Sequence, residues 1–130
     1  MPQYDSHLIQ AQRNLRFLEA TTGCFDIVSE YLEWYITIKF YAALHLVDAV
    51  FSTTNIHPND HKARNDGIFK VKKLFTNECA RRYLDLYNIS LKARYLQGDT
   101  KVDLKSDIRD FEEGFEFVKN EIEHRHKIKI

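Results

Sequence analysis

Residues 34–51, WYITIKFYAALHLVDAVF, decide how the rest of the chain is read. Apolar side chains fall on nearly every face of this stretch, as in a helix enclosed by other helices. Thr37, Lys39, His45 and Asp48 interrupt it, which argues against a membrane span and for a core helix.

Outward from this stretch, Gly23, Pro58 and Gly98 separate segments of helical periodicity, and Thr76-Asn77-Glu78 adds a further break with an N-cap residue. Five helices are expected. The first spans about 6–21, capped by Asp5 or Ser6, with Leu8, Ala11, Leu15 and Leu18 on one face. The second covers about 26–52. The third, over about 59–75 behind Asn59 or Asp60, aligns Ile68, Val71 and Phe75. The fourth, over about 77–95, aligns Ala80, Tyr83, Leu84, Tyr87 and Leu91. The fifth, over about 105–127, spaces Leu104, Ile108, Phe111, Phe115, Val118 and Ile122 by fours and threes, a seam suited to antiparallel packing or to a partner helix. Nothing alternates long enough to make a strand. The fold class is therefore all-α, a single domain over 1–130 built as an up-and-down bundle of four to five helices. Gly67, behind Asp66, offers an alternative start to the third helix near Ile68, and Gly114 in the fifth suits a close helix approach.

At 44% hydrophobic residues, 130 residues suffice for one core, and the charged fraction of 29% beside it excludes a disordered chain. Nineteen basic and nineteen acidic residues cancel, which excludes non-specific coating of a polyanion. The cancellation hides an asymmetry: residues 60–94 carry nine basic and four acidic groups between two acidic flanks. Lys70, Lys72, Lys73, Arg81 and Arg82 cluster around the turn of this basic hairpin, as a solvated surface or a nucleic-acid contact. Cys24 and Cys79 form no CxxC pair and are expected as small core residues. The first thirty residues show no signal-peptide progression, so a cytoplasmic location is expected.

Polar residues occur where the core should be. Thr37, Tyr41, His45 and Asp48 recur at four, four and three, within one sector of about 80° on the second helix. His61 and Arg64 share the stripe of Ile68, and Arg94 continues that of Tyr83, Tyr87 and Leu91 with Ser90 at its margin. If sequential helices are antiparallel neighbours, His45, Asp48, His61, Arg64, Ser90, Arg94 and Tyr95 converge at one end of the bundle, with His57 on the adjoining loop. Such a cluster is a buried ion-pair network that pins three helices, a pocket for a phosphate beside a tuned histidine, or both at once, since the two are compatible. A metal site of His45, Asp48, His57 and His61 is opposed by the nearby arginines; no metal and no cofactor is expected. There is no P-loop, nucleophile elbow, dinucleotide fingerprint or HExxH motif. Asp107, Asp110, Glu112, Glu113 and Glu116 suit an exposed acidic face, and His124-Arg125-His126-Lys127 a frayed, solvated helix end.

Trp34, the run Phe40-Tyr41-Ala42-Ala43-Leu44-His45-Leu46-Val47-Asp48-Ala49, His57-Pro58 with His61-Lys62-Ala63-Arg64-Asn65, and Ser90-Leu91-Lys92-Ala93-Arg94-Tyr95 together resemble the HEPN domain family, over about residues 30–95. The resemblance implies a helical bundle, often dimeric, in a family associated with RNA cleavage, toxin–antitoxin pairs, defence systems and minimal nucleotidyltransferases. The family's RNase signature is an Arg, usually followed by a polar residue, with a His after four to six intervening positions. Arg64-Asn65 begins like it, but positions 69–71 are Phe69, Lys70 and Val71, so the usual RNase motif is absent. The functional expectation is a module binding a nucleotide, an RNA or a protein partner such as a nucleotidyltransferase or an antitoxin. An RNase with His61 and Arg64 as catalytic candidates, and a purely structural or interaction domain, are the alternatives. A homodimer is expected.

Overall fold

The computed structural model describes residues 4–24, 26–27, 30–71, 73–95 and 100–130. Five helices follow one another: α1 (Tyr4–Ala20), α2 (Leu32–Ser52), α3 (His61–Lys70), α4 (Asn77–Arg94) and α5 (Thr100–His126). No strand occurs among the described residues, so the all-α bundle stands. Gly98 and Lys72 lie outside the described residues.

α2 is the central helix, in contact with α1, α4 and α5. Ile36, Phe40, Ala43, Val47, Val50 and Phe51 are fully enclosed on it, which is why its apolar residues favour no single face. The seam of α5 is spent inside the chain: Leu104, Phe111, Phe115, Val118 and Ile122 are all buried against the core. A β-carbon on Gly114 would come within 3.2 Å of the Leu86 side chain, so glycine here lets α5 close on α4.

Local signals set several helix ends. Asp60 caps α3 by accepting from the Ala63 amide, and Thr76 caps α4 by accepting from the Cys79 amide. α2 starts six residues later than expected, after Tyr31, whose side chain makes no cap bond. Asp26, the expected first residue, instead accepts from the Gly23 amide.

The course of α3 departs from the expected antiparallel order. Past Ser52 the chain turns through Asn55, whose positive φ of 59° is the left-handed conformation asparagine tolerates, and the Ile56 amide bonds back to the Phe51 carbonyl. The segment then doubles back along α2. His61 meets Phe40 and Tyr41, Arg64 meets Asp48, and Gly67 lies against Phe51, so α3 runs parallel to α2. The reversal needs about 16 Å along the helix, well within the reach of eight extended residues. α4 then runs antiparallel to α2, and α5 antiparallel to α4, as the pairs Phe40–Tyr87, Trp34–Ala93, Lys92–Asp107 and Thr76–Glu121 require.

Three further expectations are corrected. α3 ends at Lys70, and Leu74 and Phe75 are buried from the connection to α4 rather than from a helix. Cys24 is exposed; only Cys79 is a core residue, its thiol pushed up by burial and then by Glu121. The basic end of α5 does not fray: Arg125 donates to the Lys73 carbonyl and His126 bonds the Leu74 carbonyl, clamping the α3–α4 connection.

Candidate functional site

The doubling back of residues 53–60 splits the expected polar cluster into two adjoining groups along α2, because it sets the start of α3 beside the middle of α2 rather than its end.

The first group centres on Asp48 and Arg64. Arg64 Nε and Nη2 donate to the two Asp48 carboxylate oxygens at 2.7 and 2.9 Å, both residues being buried. This bidentate fork ties α2 to α3. Burial works against the Arg64 charge, but the Asp48 hydrogen bonds outweigh it and raise the guanidinium pKa above its ordinary value. The ion pair is thus real but joins two helices, not three. Next to it, His45 Nδ1 lies 3.1 Å from His7 Nδ1, a pairing the sequence did not disclose because His7 sits on the polar margin of α1. His45 and His7 line a cavity of about 300 Å³ with Asp48, Arg64, His57 and Ser52. Burial holds both histidines below the usual imidazole range; for His45 the neighbouring His7 lowers it further, and Asp48 partly offsets both shifts. No group of His, Cys, Asp and Glu that could hold a metal ion occurs among the described residues.

The second group centres on Arg94, half-buried at the end of α4. Its Nε donates to the Ser90 carbonyl at 3.3 Å, Nη2 to Ser90 Oγ at 3.2 Å, and Nη1 to the Tyr41 hydroxyl at 3.3 Å. Nη1 also lies 3.5 Å from His61 Nε2. An arginine cannot accept, so His61 Nε2 takes the acceptor role and the ring hydrogen falls on Nδ1, which is buried with no partner. Burial, then Arg94 and Arg64, lower the His61 pKa below the usual imidazole value, and Asp60 and Asp48 partly offset the shift. The guanidinium lies between 5.6 and 5.9 Å from the rings of Phe40, Tyr41, Tyr87 and Tyr95. Tyr95 covers it from outside and is 65% exposed, so it borders the site rather than lining its interior. Ser90 is fully buried. Beyond Arg94 opens a cavity of about 240 Å³, walled by Glu33, Trp34, Thr37 and Ala93.

Sequence reasoning missed a third polar contact. Lys39 Nζ, buried, reaches both Glu112 oxygens at 2.9 and 3.0 Å and the Tyr35 hydroxyl at 2.9 Å, while that hydroxyl donates to Glu112 at 2.7 Å. Glu112 is therefore not part of a uniformly exposed acidic face. The basic hairpin, too, is partly answered: Arg81 and Arg82 both pair with Glu78. Lys70 and Lys73 are exposed.

No family model matches the chain, and no curated protein or solved structure matches it. No helix among the described residues is long and apolar enough to cross a membrane.

Proposed function

We propose that the chain is a HEPN-like helical module that binds a phosphate-bearing nucleotide, free or within single-stranded RNA, at the Arg94 cavity. The observation that carries this reading is an inward cation without a counter-ion. Among the described residues the two buried cations, Lys39 and Arg64, each hold a carboxylate. Among the described residues Arg94 has no carboxylate within ion-pair distance; its hydrogen bonds are 3.2–3.5 Å long and its faces are covered by rings. Charge-assisted bonds to a phosphate shorten to about 2.7–2.9 Å, so an anion would displace weak contacts with strong ones. Trp34, 55% exposed at the same cavity, offers a face on which a base can stack.

The test is a titration with a short single-stranded RNA at low and at moderate salt. Binding is expected, weakening as salt rises, because phosphate contacts release counterions. Arg94→Ala is expected to weaken it at least tenfold, and unchanged binding by that variant sinks the reading.

A second reading is favoured by the His61–Arg94 contact. An imidazole with a lowered pKa beside a guanidinium suits a general base with an electrostatic partner for a phosphorane-like transition state, with Arg94 rather than the Asp48-bound Arg64 facing the phosphate. RNA cleavage by the purified protein that His61→Ala abolishes would establish it; equal cleavage, or none, removes it.

The resemblance adds toxin–antitoxin or defence work, a nucleotidyltransferase or antitoxin partner, and a homodimer. The buried α5 seam does not supply a dimer interface, so other surfaces must. Sedimentation at micromolar concentration is expected to return a dimer, and a monomer would remove this element.

A further inference from the structure

We infer that the ligand at Arg94 is an unpaired strand rather than a lone nucleotide. Arg94 holds one internal phosphodiester, the base on one side of it stacks on Trp34, and the base on the other side stacks on the outer face of Tyr95. The inference rests on the nucleotide-binding reading above and adds the length of the ligand and a role for Tyr95.

Tyr95 and Trp34 are the most exposed large apolar side chains among the described residues, at 65% and 55%. A single exposed ring needs no explanation, but these two come from different helices and meet at the same arginine. Trp34 and Arg94 wall one cavity, and the Arg94 guanidinium lies 5.7 Å from the centre of the Tyr95 ring, over its face. One face of Tyr95 is thus taken by Arg94, and its exposure leaves the other to solvent. Neither ring hangs on loose chain. Trp34 stands in the first turn of α2 with its amide bonded to the Tyr31 carbonyl, and Tyr95 ends α4 with its amide bonded to the Leu91 carbonyl. Rings held in place before binding lose little freedom when a base stacks on them. Stacking accepts any base, because each has a π face, but in a duplex those faces are already covered by neighbouring pairs.

Size and charge agree with a strand. The cavity of about 240 Å³ falls below the roughly 300–1,000 Å³ that houses whole drug-sized ligands, so it takes one base, and Tyr95 meets the next from outside. An internal phosphodiester carries one negative charge, which the Arg94 cation answers in full. The terminal phosphate of a mononucleotide carries more than one. No other cation lines the cavity, and Glu33 on the same wall disfavours a surplus of negative charge.

Trp34 is the only tryptophan of the chain, so its fluorescence reports on this cavity directly. The experiment titrates the full chain with AMP, with the dinucleotide ApA and its deoxy form dApdA, with a short single-stranded RNA and with the duplex of that RNA. ApA has two bases, one internal phosphodiester and no terminal phosphate, so it carries less charge than AMP. It is nevertheless expected to quench Trp34 at concentrations roughly five- to a hundredfold lower than AMP, the gain from stacking one more base. Tyr95→Ala should remove that gain and weaken the short RNA by the same factor, while AMP binding stays within about twofold. Tyr95→Phe, which keeps the ring, should retain the gain. Equal binding of ApA and dApdA supports a site for any unpaired strand, and binding of ApA alone supports one confined to RNA. ApA no tighter than AMP, a gain that survives Tyr95→Ala, or a duplex bound as well as its single strand overturns the inference and leaves the Arg94 reading standing. No response to any nucleotide or RNA overturns both.

Discussion

Asp48 and Arg64 show how much a single side chain can settle. Asp48 breaks the apolar run of α2, Arg64 shares a stripe with Ile68, and in the fold they form a bidentate pair with both partners buried. Their net worth is small compared with the penalty for separating them, because desolvation cancels most of the attraction. Asp48→Ala should thus lower the unfolding free energy by about 3–5 kcal/mol, the cost of stranding a buried charge. The double variant Asp48→Leu with Arg64→Met should recover most of that loss. Urea unfolding checks both, and a double variant no more stable than the single one would show that the pair contributes more than mutual neutralisation. Both residues were legible in the sequence as polar groups on apolar faces. Lys39 and Glu112 were not, since Lys39 is one interruption among four in its run and Glu112 one of five carboxylates on α5. Only the approach of α5 to α2 distinguishes Glu112 from its neighbours.

Among the helices, those whose ends are fixed by local chemistry are the ones sequence locates. Thr76 is the fullest case: its hydroxyl accepts from the Cys79 amide, and both its hydroxyl and its backbone amide donate to the Glu121 carboxylate of α5. One residue caps α4 and joins it to another helix. Thr76→Ala should cost about 1–2 kcal/mol, the upper part of the range for a lost cap, and Thr76→Ser markedly less. Thermal unfolding of the two variants makes the comparison; equal losses would mean that the threonine methyl, not the hydroxyl, matters. α3 shows the opposite situation. Val71 and Phe75 continue its apolar spacing, yet the helix stops at Lys70 and Phe75 packs edge-on against Phe51 from the connection. Burial in a core can be met by irregular chain as well as by helix, so apolar spacing alone does not mark where a helix stops.

For the whole molecule, the seating of α1 on α2 makes stability depend on pH. His7 and His45 meet there with ring centroids 5.3 Å apart, both held below the usual imidazole value of 6.5, chiefly by burial. The unfolded chain takes up protons near 6.5 that the folded chain resists, so stability is flat above that pH and falls as pH drops below it. The melting temperature should decrease from about pH 7 to pH 5, and His45→Gln should flatten the decrease. Parallel profiles for the two proteins would place the dependence elsewhere, His61 being the other histidine with a lowered pKa. The sequence by itself determined the helical class, the enclosed position of α2, the neighbourhoods of the α3 and α4 starts, at Asn59-Asp60 and Thr76-Asn77-Glu78, and the polar character of the residues later found around Arg94. These follow from periodicity and from bonds made within a few residues. The tertiary structure alone decided that α3 runs parallel to α2, and that the polar residues divide into an answered ion pair and an arginine that has no carboxylate within ion-pair distance among the described residues. A residue's partner across helices depends on where a turn such as that at Asn55 sends the chain, and on packing between segments far apart in sequence, which no local pattern encodes.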